Sequence, residues 1–192
     1  MDSELKMFAS VARDFCEAVD AVGDLPRSEF LARIQVMLSR LYAVVFEMPW
    51  VEAETDEVDR RRREGTFARL KAARQGQPPD IETAHRFALL DRMEDLLGPV
   101  NVYWETNHPT KDREVEDWSI AVALHDTYQS VSWALREIEA GARASDVIDK
   151  LKWDFALDWG RHAVDALRAI HFLMIDCWLQ IFDDRLLAAD TH

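Results

Sequence analysis

Glycine and proline are scarce in this chain of 192 residues, which contains six of each. Both residues interrupt regular secondary structure, so their scarcity leaves room for long uninterrupted segments. Within those segments apolar residues recur at spacings of three and four, the period of a helix with one buried face. No segment alternates apolar and polar residues over the length of a strand. These patterns predict an all-α fold without strands.

Cysteine and long apolar runs are also lacking. The two cysteines, Cys16 and Cys177, are far apart and lie among apolar residues, which predicts reduced core thiols rather than a disulfide. Charged residues interrupt every apolar stretch, so no segment is predicted to span a membrane. The first residues are acidic and amphipathic, unlike a secretory signal. We therefore expect a cytoplasmic protein that does not bind a membrane.

Positive charge is in deficit, since the net charge is -13. This sign disfavours a nucleic-acid partner. The exception is the basic segment, residues 60–74, which holds seven basic residues and one acidic residue. Its net charge is +6, and subtracting +6 from -13 leaves -19 on the rest of the chain. The favoured interpretation of Arg60 to Arg74 is a solvated helix paired with nearby acids; the alternative is contact with an unknown protein partner or a second copy of the chain.

The predicted architecture is one domain, residues 1–192, built as a bundle of six or seven antiparallel helices. Glycine, proline and the apolar spacing place helices at about 3–22, 26–47, 56–74, 80–97, 115–140 and 145–187. Ser3, Asp80 and Ser145 are predicted N-caps. The last stretch is long for a single globular helix, so Gly160 is predicted to be the point where the last two helices meet.

Two segments are predicted to connect the helices. Residues 51–79 are polar and end in glycine and a pair of prolines, so we expect a mobile basic insertion that proteases cut first. Residues 99–114 carry the turn signal Asn107-His108-Pro109 and are predicted to form a loop.

The densest group of aromatic and ionisable residues is W-D-F-A-L-D-W-G-R-H-A-V-D-A-L-R-A-I-H, residues 153–171. On a helix such a group predicts either a buried polar layer or a site. The seven tryptophans are expected mainly in the core, with at least one partly exposed at an interface. The candidate site or polar layer comprises Tyr103, Asp126, Tyr128, Trp153, Asp158, Trp159, Gly160 and His162.

The same residues resemble the bacterial family DUF5063, a domain of unknown function. The resemblance rests on a D-x-Y pair, a tryptophan and a phenylalanine before W-G-x-H, and a following A-L pair. The matching residues are Asp126, Tyr128, Trp153, Phe155, Trp159, Gly160, His162, Ala166 and Leu167. Members of the family often have histidine where this chain has Asp158, and the basic segment has no counterpart. The resemblance implies a helical fold and no particular activity.

Two functions are compatible with these residues. The favoured interpretation is a non-catalytic binding or adaptor module that acts through protein–protein contacts and needs no cofactor. The alternative is a metal-dependent hydrolase of phosphoesters or nucleotides, with its site between the predicted helix 115–140 and the two helices that meet at Gly160. Its candidate ligands are His125, Asp126, Asp154, Asp158 and His162, of which the last three recur every four residues along one helix face.

Overall fold

The structure, a computed structural model, describes residues 2–51, 81–105 and 116–189. Within these ranges the chain is predominantly helical, with one small two-stranded sheet. The elements are α1 (Asp2–Asp20), α2 (Arg27–Glu47), α3 (Ile81–Leu97), a 3₁₀ turn (Gly98–Asn101), β1 (Val102–Glu105), β2 (Glu116–Ser119), α4 (Ile120–Glu139), α5 (Ala144–Asp154), a π turn (Phe155–Trp159) and α6 (Gly160–Ala189).

Helices α1 and α2 form a hairpin that agrees with the predicted helices at 3–22 and 26–47. Phe8, Phe15 and Val19 are fully buried at helical spacing on α1 and face the core with the apolar stripe of α2. Gly23 has a φ of 92°, a conformation that other residues rarely adopt, and it lets the chain reverse. The predicted cap at Ser3 is wrong, since Ser3 lies inside α1 and its hydroxyl donates to Glu4.

Helix α4 lies at the centre and packs against α1, α3, α5 and α6. It tolerates neighbours on several sides because many of its buried positions carry small residues, such as Ala121, Ala123 and Ala134. This is why a helix with a few polar residues, including Thr127 and Ser130, can be so deeply buried. The hydroxyl of Thr127 donates to the carbonyl of Ala123 at 2.8 Å, which satisfies it within the helix.

The prediction that the chain has no strand is wrong. β1 and β2 pair antiparallel, with Tyr103 opposite Trp118. Because β2 occupies residues 116–119, α4 begins about five residues later than predicted. Its N-cap is Ser119, whose hydroxyl accepts from the N–H of Val122 at 3.2 Å. Four-residue strands are too short to show period-two alternation, so periodicity does not reveal them.

The last forty-six residues described form α5, the π turn and α6 in direct succession, and α6 begins at Gly160, where the sequence placed the junction of the last two helices. α5 passes into the π turn and then into α6 with helical backbone angles throughout, including at Asp154 and Gly160. The predicted cap at Ser145 is also wrong: Arg143 occupies the N-cap, and the Ser145 hydroxyl donates to Asp146 at 3.4 Å.

Several predictions fall outside the described residues. They include almost all of the mobile insertion at 51–79 with its basic segment Arg60 to Arg74, the cap at Asp80, and residues 106–114 of the predicted loop. Cys16 is buried and free, as predicted, whereas the side chain of Cys177 is not described. No helix in the described ranges is both long enough and apolar enough to cross a membrane.

Candidate functional site

The π turn is the structural origin of the candidate site. The N–H of Gly160 donates to the carbonyl of Phe155, five residues earlier, so the turn holds one extra residue. A Cβ at Gly160 would collide with that carbonyl oxygen and lie about 3.0 Å from the Phe155 ring. The sequence predicted that two helices meet at Gly160. The glycine is required because the obstacle is a backbone atom of the same helical run.

His162 is the third residue of α6 and is buried against the sheet. Its ring stacks on Trp118 of β2, with ring centroids 5.2 Å apart and planes only 4° from parallel. Nε2 lies 3.7 Å from the carboxylate of Asp158, whose side chain is half exposed. This distance allows attraction but is too long for a hydrogen bond. The predicted proximity of Asp158 and His162 is therefore observed, whereas the stacking on Trp118 was not predicted.

Three neighbouring buried nitrogens have no hydrogen-bond partner in the described part of the chain. They are Nε1 of Trp118, Nε1 of Trp159 and Nδ1 of His162. Buried N–H groups and ring nitrogens are normally paired, so an unpaired set is unusual and marks either bound water or a functional site. Tyr103, another candidate, lies directly opposite Trp118 across the sheet and is also buried.

A cavity of about 370 Å³ opens beside the π turn. One wall is apolar, because the Tyr42 and Phe155 rings lie there with centroids 4.9 Å apart. The other wall is one face of α6, where Arg161, Asp165 and Arg168 follow one another at spacings of four and three. The guanidinium of Arg168 donates to the backbone carbonyl of Trp104 at 3.0 Å, which holds this side chain in place.

Exposed rings cover the outer side of the same region. We call Phe46, Trp50 and Trp153 the aromatic surface; their exposed fractions are 64%, 56% and 51%. Trp50 and Trp153 pack edge to face, with ring centroids 5.6 Å apart. Leu157, four residues after Trp153, is 76% exposed. The expectation that a tryptophan of this segment is exposed therefore holds for Trp153, whereas Trp159 is fully buried.

Lys152 of α5 connects the end of α2 to the aromatic surface. Its ammonium donates to the carbonyls of Val45 and Phe46 at 3.1 and 3.2 Å, at the C-terminal end of α2 where carbonyls lack helical partners. It also lies 5.1 Å from the centre of the Trp50 ring. Burial lowers the pKa of Lys152. The lysine thus fixes the end of α2, and the ring beside it, against α5.

Two candidates on α4, Asp126 and Tyr128, contact residues other than His162. The Tyr128 hydroxyl donates to Asp20 of α1 at 3.0 Å, and the same carboxylate oxygen lies 3.3 Å from Nε2 of His85. Burial raises the pKa of Tyr128, and the charge and hydrogen bond of Asp20 raise it further. Burial likewise raises the pKa of the Cys16 thiol to about 12, again with a contribution from Asp20. The D-x-Y pair therefore makes contacts that do not include His162.

His125 and Asp126, also on α4, form a separate set of contacts. Nδ1 of His125 is 3.0 Å from the side-chain amide of Gln129 and 3.6 Å from Asp126. The oxygen of that amide accepts from Arg86 at 3.2 Å, which couples α3 to α4. Nε2 of His125 is buried and has no hydrogen-bond partner among the described residues.

The five candidate metal ligands are divided among three separate contacts. These are His125 with Asp126, Asp154 with Lys150, and Asp158 with His162. Within residues 2–51, 81–105 and 116–189, no group of three or more histidine, cysteine, aspartate or glutamate side chains is arranged to hold a metal ion. The four-residue spacing of Asp154, Asp158 and His162 does not bring them together, because a π turn lies between the first and the last.

Several residues of the site were missed by the sequence reasoning. Arg161 and Arg168 have no distinguishing pattern beyond their helical spacing, and Tyr42 and Phe46 belong to a helix more than a hundred residues away. Lys152 could have been noticed as a basic residue at a position otherwise predicted to be buried. The π turn itself had one sequence signal, a glycine within an aromatic-rich helix.

The comparisons with known proteins agree with this architecture. The chain is similar to the crystal structure of protein BF1032 from Bacteroides fragilis, a structural-genomics target, with a TM-score of 0.66 and 19% identity. The similarity covers 90% of this chain and 92% of that one, and at this identity it shows the fold alone. None of the curated proteins matches the chain. The model of the family described as Domain of unknown function (DUF5063) matches residues 1–176, so the chain belongs to that family.

Proposed function

We propose that this protein is a non-catalytic binding module that uses the aromatic surface to hold a basic, amphipathic segment of a protein partner. The observation that carries the proposal is the group of exposed rings at Phe46, Trp50 and Trp153. Aromatic residues are enriched in the centres of protein–protein interfaces, where they contribute most of the binding energy.

The aromatic surface is pre-organised for binding. Phe46 stacks on Tyr42 with ring planes 12° apart, and Trp50 is held between the Trp153 ring and the ammonium of Lys152. Rings that are already fixed lose little conformational entropy when a partner covers them. Exposed side chains that were free to rotate would bind the same area more weakly.

The charge of the molecule favours a basic partner. The chain carries -13 overall, and the exposed acids Glu47 and Asp158 lie next to the aromatic surface along their helices. The faces of exposed tryptophans also attract ammonium and guanidinium groups. A segment with lysines or arginines on one side and apolar residues on the other would therefore match both the rings and the field around them.

The basic segment of the chain itself has this composition, since residues 60–74 include Phe67 and Leu70 among seven basic residues. A synthetic peptide of residues 60–74 is therefore the probe for the full-length protein, with a peptide in which each basic residue is glutamate as its control. We expect binding of the basic peptide only, visible as a change in tryptophan fluorescence, and weakened by added salt.

Trp50→Ser and Trp153→Ser should each weaken this binding about tenfold, in the range of interface hot spots. Trp104→Ser is the matched control, because Trp104 is 65% exposed and lies outside the aromatic surface. Equal binding of both peptides, no binding of either, or equal effects of all three substitutions would contradict the proposal. Binding that also produces dimers of the full chain would identify a second copy as the partner.

A further inference from the structure

The cavity beside the π turn has the volume and lining of a small-molecule site. We propose that it binds a small monocarboxylate with an aromatic or branched apolar body. The proposal does not depend on the aromatic surface or on its partner. The volume of about 370 Å³ is within the range of pockets that enclose a small ligand, about 300 to 1,000 Å³.

The apolar wall determines the body of the ligand. The Tyr42 and Phe155 rings are tilted by 56° to each other, and Ala156 and Val164 complete this side of the cavity. A flat ring or a branched alkyl group would contact both aromatic faces at once. The Trp159 ring supports Phe155 by packing edge to face with it, with ring centroids 5.0 Å apart. The wall is therefore rigid enough to select for shape.

The charged wall determines the head group. Its side chains are two guanidinium groups, Arg161 and Arg168, and one carboxylate, Asp165, so its formal charge is +1. This sign is opposite to the charge of the whole chain, -13. Guanidinium groups match the planar carboxylate geometrically, often with two parallel hydrogen bonds. Asp165 would repel a doubly charged phosphate more strongly than a singly charged carboxylate, which favours the carboxylate.

The π turn explains why the cavity exists at this place. An extra residue in the turn displaces Phe155 and Ala156 relative to α6, and the missing Cβ of Gly160 lets the carbonyl and ring of Phe155 approach this helix closely. π turns inside α-helices are rare and occur frequently at functional sites. The bond from Arg168 to the Trp104 carbonyl keeps one guanidinium extended at the cavity before any ligand arrives.

The test uses three probes with the full-length protein: 3-phenylpropionate, its neutral amide 3-phenylpropionamide, and phenyl phosphate. Binding is followed by backbone and arginine side-chain NMR signals during titration. We expect 3-phenylpropionate to shift the signals of Gly160, Arg161 and Arg168, and the amide to bind at least tenfold more weakly. Equal affinity for the acid and the amide would overturn the proposal, and so would tighter binding of phenyl phosphate or shifts confined to other residues.

Two variants separate the head-group and body contacts. Arg161→Gln should weaken binding of 3-phenylpropionate about tenfold without disturbing the bond from Arg168 to Trp104. Val164→Trp should block the cavity, since Val164 is 43% exposed at its edge. Arg40→Gln, an exposed arginine on α2 outside the cavity, is the matched control and should bind as the wild type does. Unchanged affinity in both cavity variants, with melting temperatures as in the wild type, would also overturn the proposal.

Discussion

The interface between α1 and α4 and the region of the π turn both contain aromatic side chains with polar groups, but the groups differ in whether they have hydrogen-bond partners. Between α1 and α4, the Tyr128 hydroxyl and the Asp20 carboxylate form a hydrogen bond across the helices, and His85 approaches the same oxygen. At the π turn, the buried indole N–H groups of Trp118 and Trp159 have no partner among the described residues. Polar groups with partners hold two helices in register, whereas buried groups without them lower stability.

The two regions also differ in how much apolar surface they leave exposed. The α1–α4 interface is closed, with Phe15, Val19 and Val131 fully buried around it. The π turn adjoins a cavity and three exposed rings. Features that lower stability are retained where they serve binding or catalysis, so the contrast points to the π turn as the functional region. It also predicts different responses to substitution.

The largest effect is expected from Gly160→Ala. The added Cβ must displace the carbonyl oxygen of Phe155, a backbone atom that cannot move without changing the π turn. Overpacking of this kind costs about 3 kcal/mol, which exceeds the gain of about 1 kcal/mol from alanine as a better helix former. The measurement is the free energy of unfolding by urea.

Gly141→Ala is the control for that experiment. Gly141 has a φ of 75° and no atom within 4 Å of the position of a Cβ, so only backbone strain of about 1 to 2 kcal/mol is expected. A Gly160→Ala protein as stable as the wild type would show that the π turn converts easily to α-helix and that the glycine is not a constraint.

A second, smaller effect is expected at His162 and distinguishes ring packing from hydrogen bonding. His162→Ala should cost about 2 kcal/mol, because it removes a buried ring that stacks on Trp118. His162→Phe should retain most of the stability, since Nδ1 has no hydrogen-bond partner in the described residues and Nε2 is only 3.7 Å from Asp158. The measurement is the melting temperature, with and without a chelator, which should have no effect.

Asp126→Ala serves as the comparison for His162, because the sequence grouped the two in one polar layer. Asp126 is about one third exposed and contacts His125 instead, so its removal should cost less than about 1 kcal/mol. If His162→Phe lost as much stability as His162→Ala, a polar contact of His162 would be required after all. A loss of stability in the chelator would favour the metal-dependent hydrolase.

The sequence predicted much of the helical architecture and the location of the candidate site. Apolar periodicity placed α1 and α2 within a few residues, because each of them has one apolar stripe. The limits of α3 were predicted from the cap at Asp80 and from Gly98 and Pro99 instead. It also selected the segment from Trp153 to His162, which contains the π turn. Local sequence is sufficient for these predictions, since they depend only on residues that are close together along the chain.

The failures concern contacts between distant elements. Lys152 and the end of α2 are about a hundred residues apart in sequence, and so are Tyr128 and Asp20. No spacing along the chain encodes such pairs, so the sequence could only place Tyr128 and His162 in the same candidate group. The junction at Gly160 was predicted but its π-helical form was not, because one extra residue in a turn leaves the apolar pattern almost unchanged. The two strands were missed because pairing with each other, rather than periodicity, defines them.

An effect smaller than that of His162→Ala is expected from Tyr128→Phe, which tests the α1–α4 interface. Loss of the hydrogen bond to Asp20 should cost about 1 kcal/mol below pH 9. The pKa of Tyr128 is raised in the folded protein, above its ordinary value of 10.0. Its contribution is therefore complete below pH 10 and is lost as the pH rises through the higher pKa of the folded state.

The difference in unfolding free energy between wild type and Tyr128→Phe should accordingly be constant from pH 6 to 9 and decrease above pH 10. Titration of Cys16 also lowers stability at alkaline pH, but it occurs in both proteins and largely cancels in the difference. Asp20→Asn is the matched variant, because the amide removes the charge that raises the pKa of Tyr128 while an oxygen acceptor remains. A difference that grows above pH 10 would show that tyrosinate, not the neutral phenol, is stabilised by the fold. The α1–α4 interface would then be the strained region of the molecule, and the contrast with the π turn would be reversed.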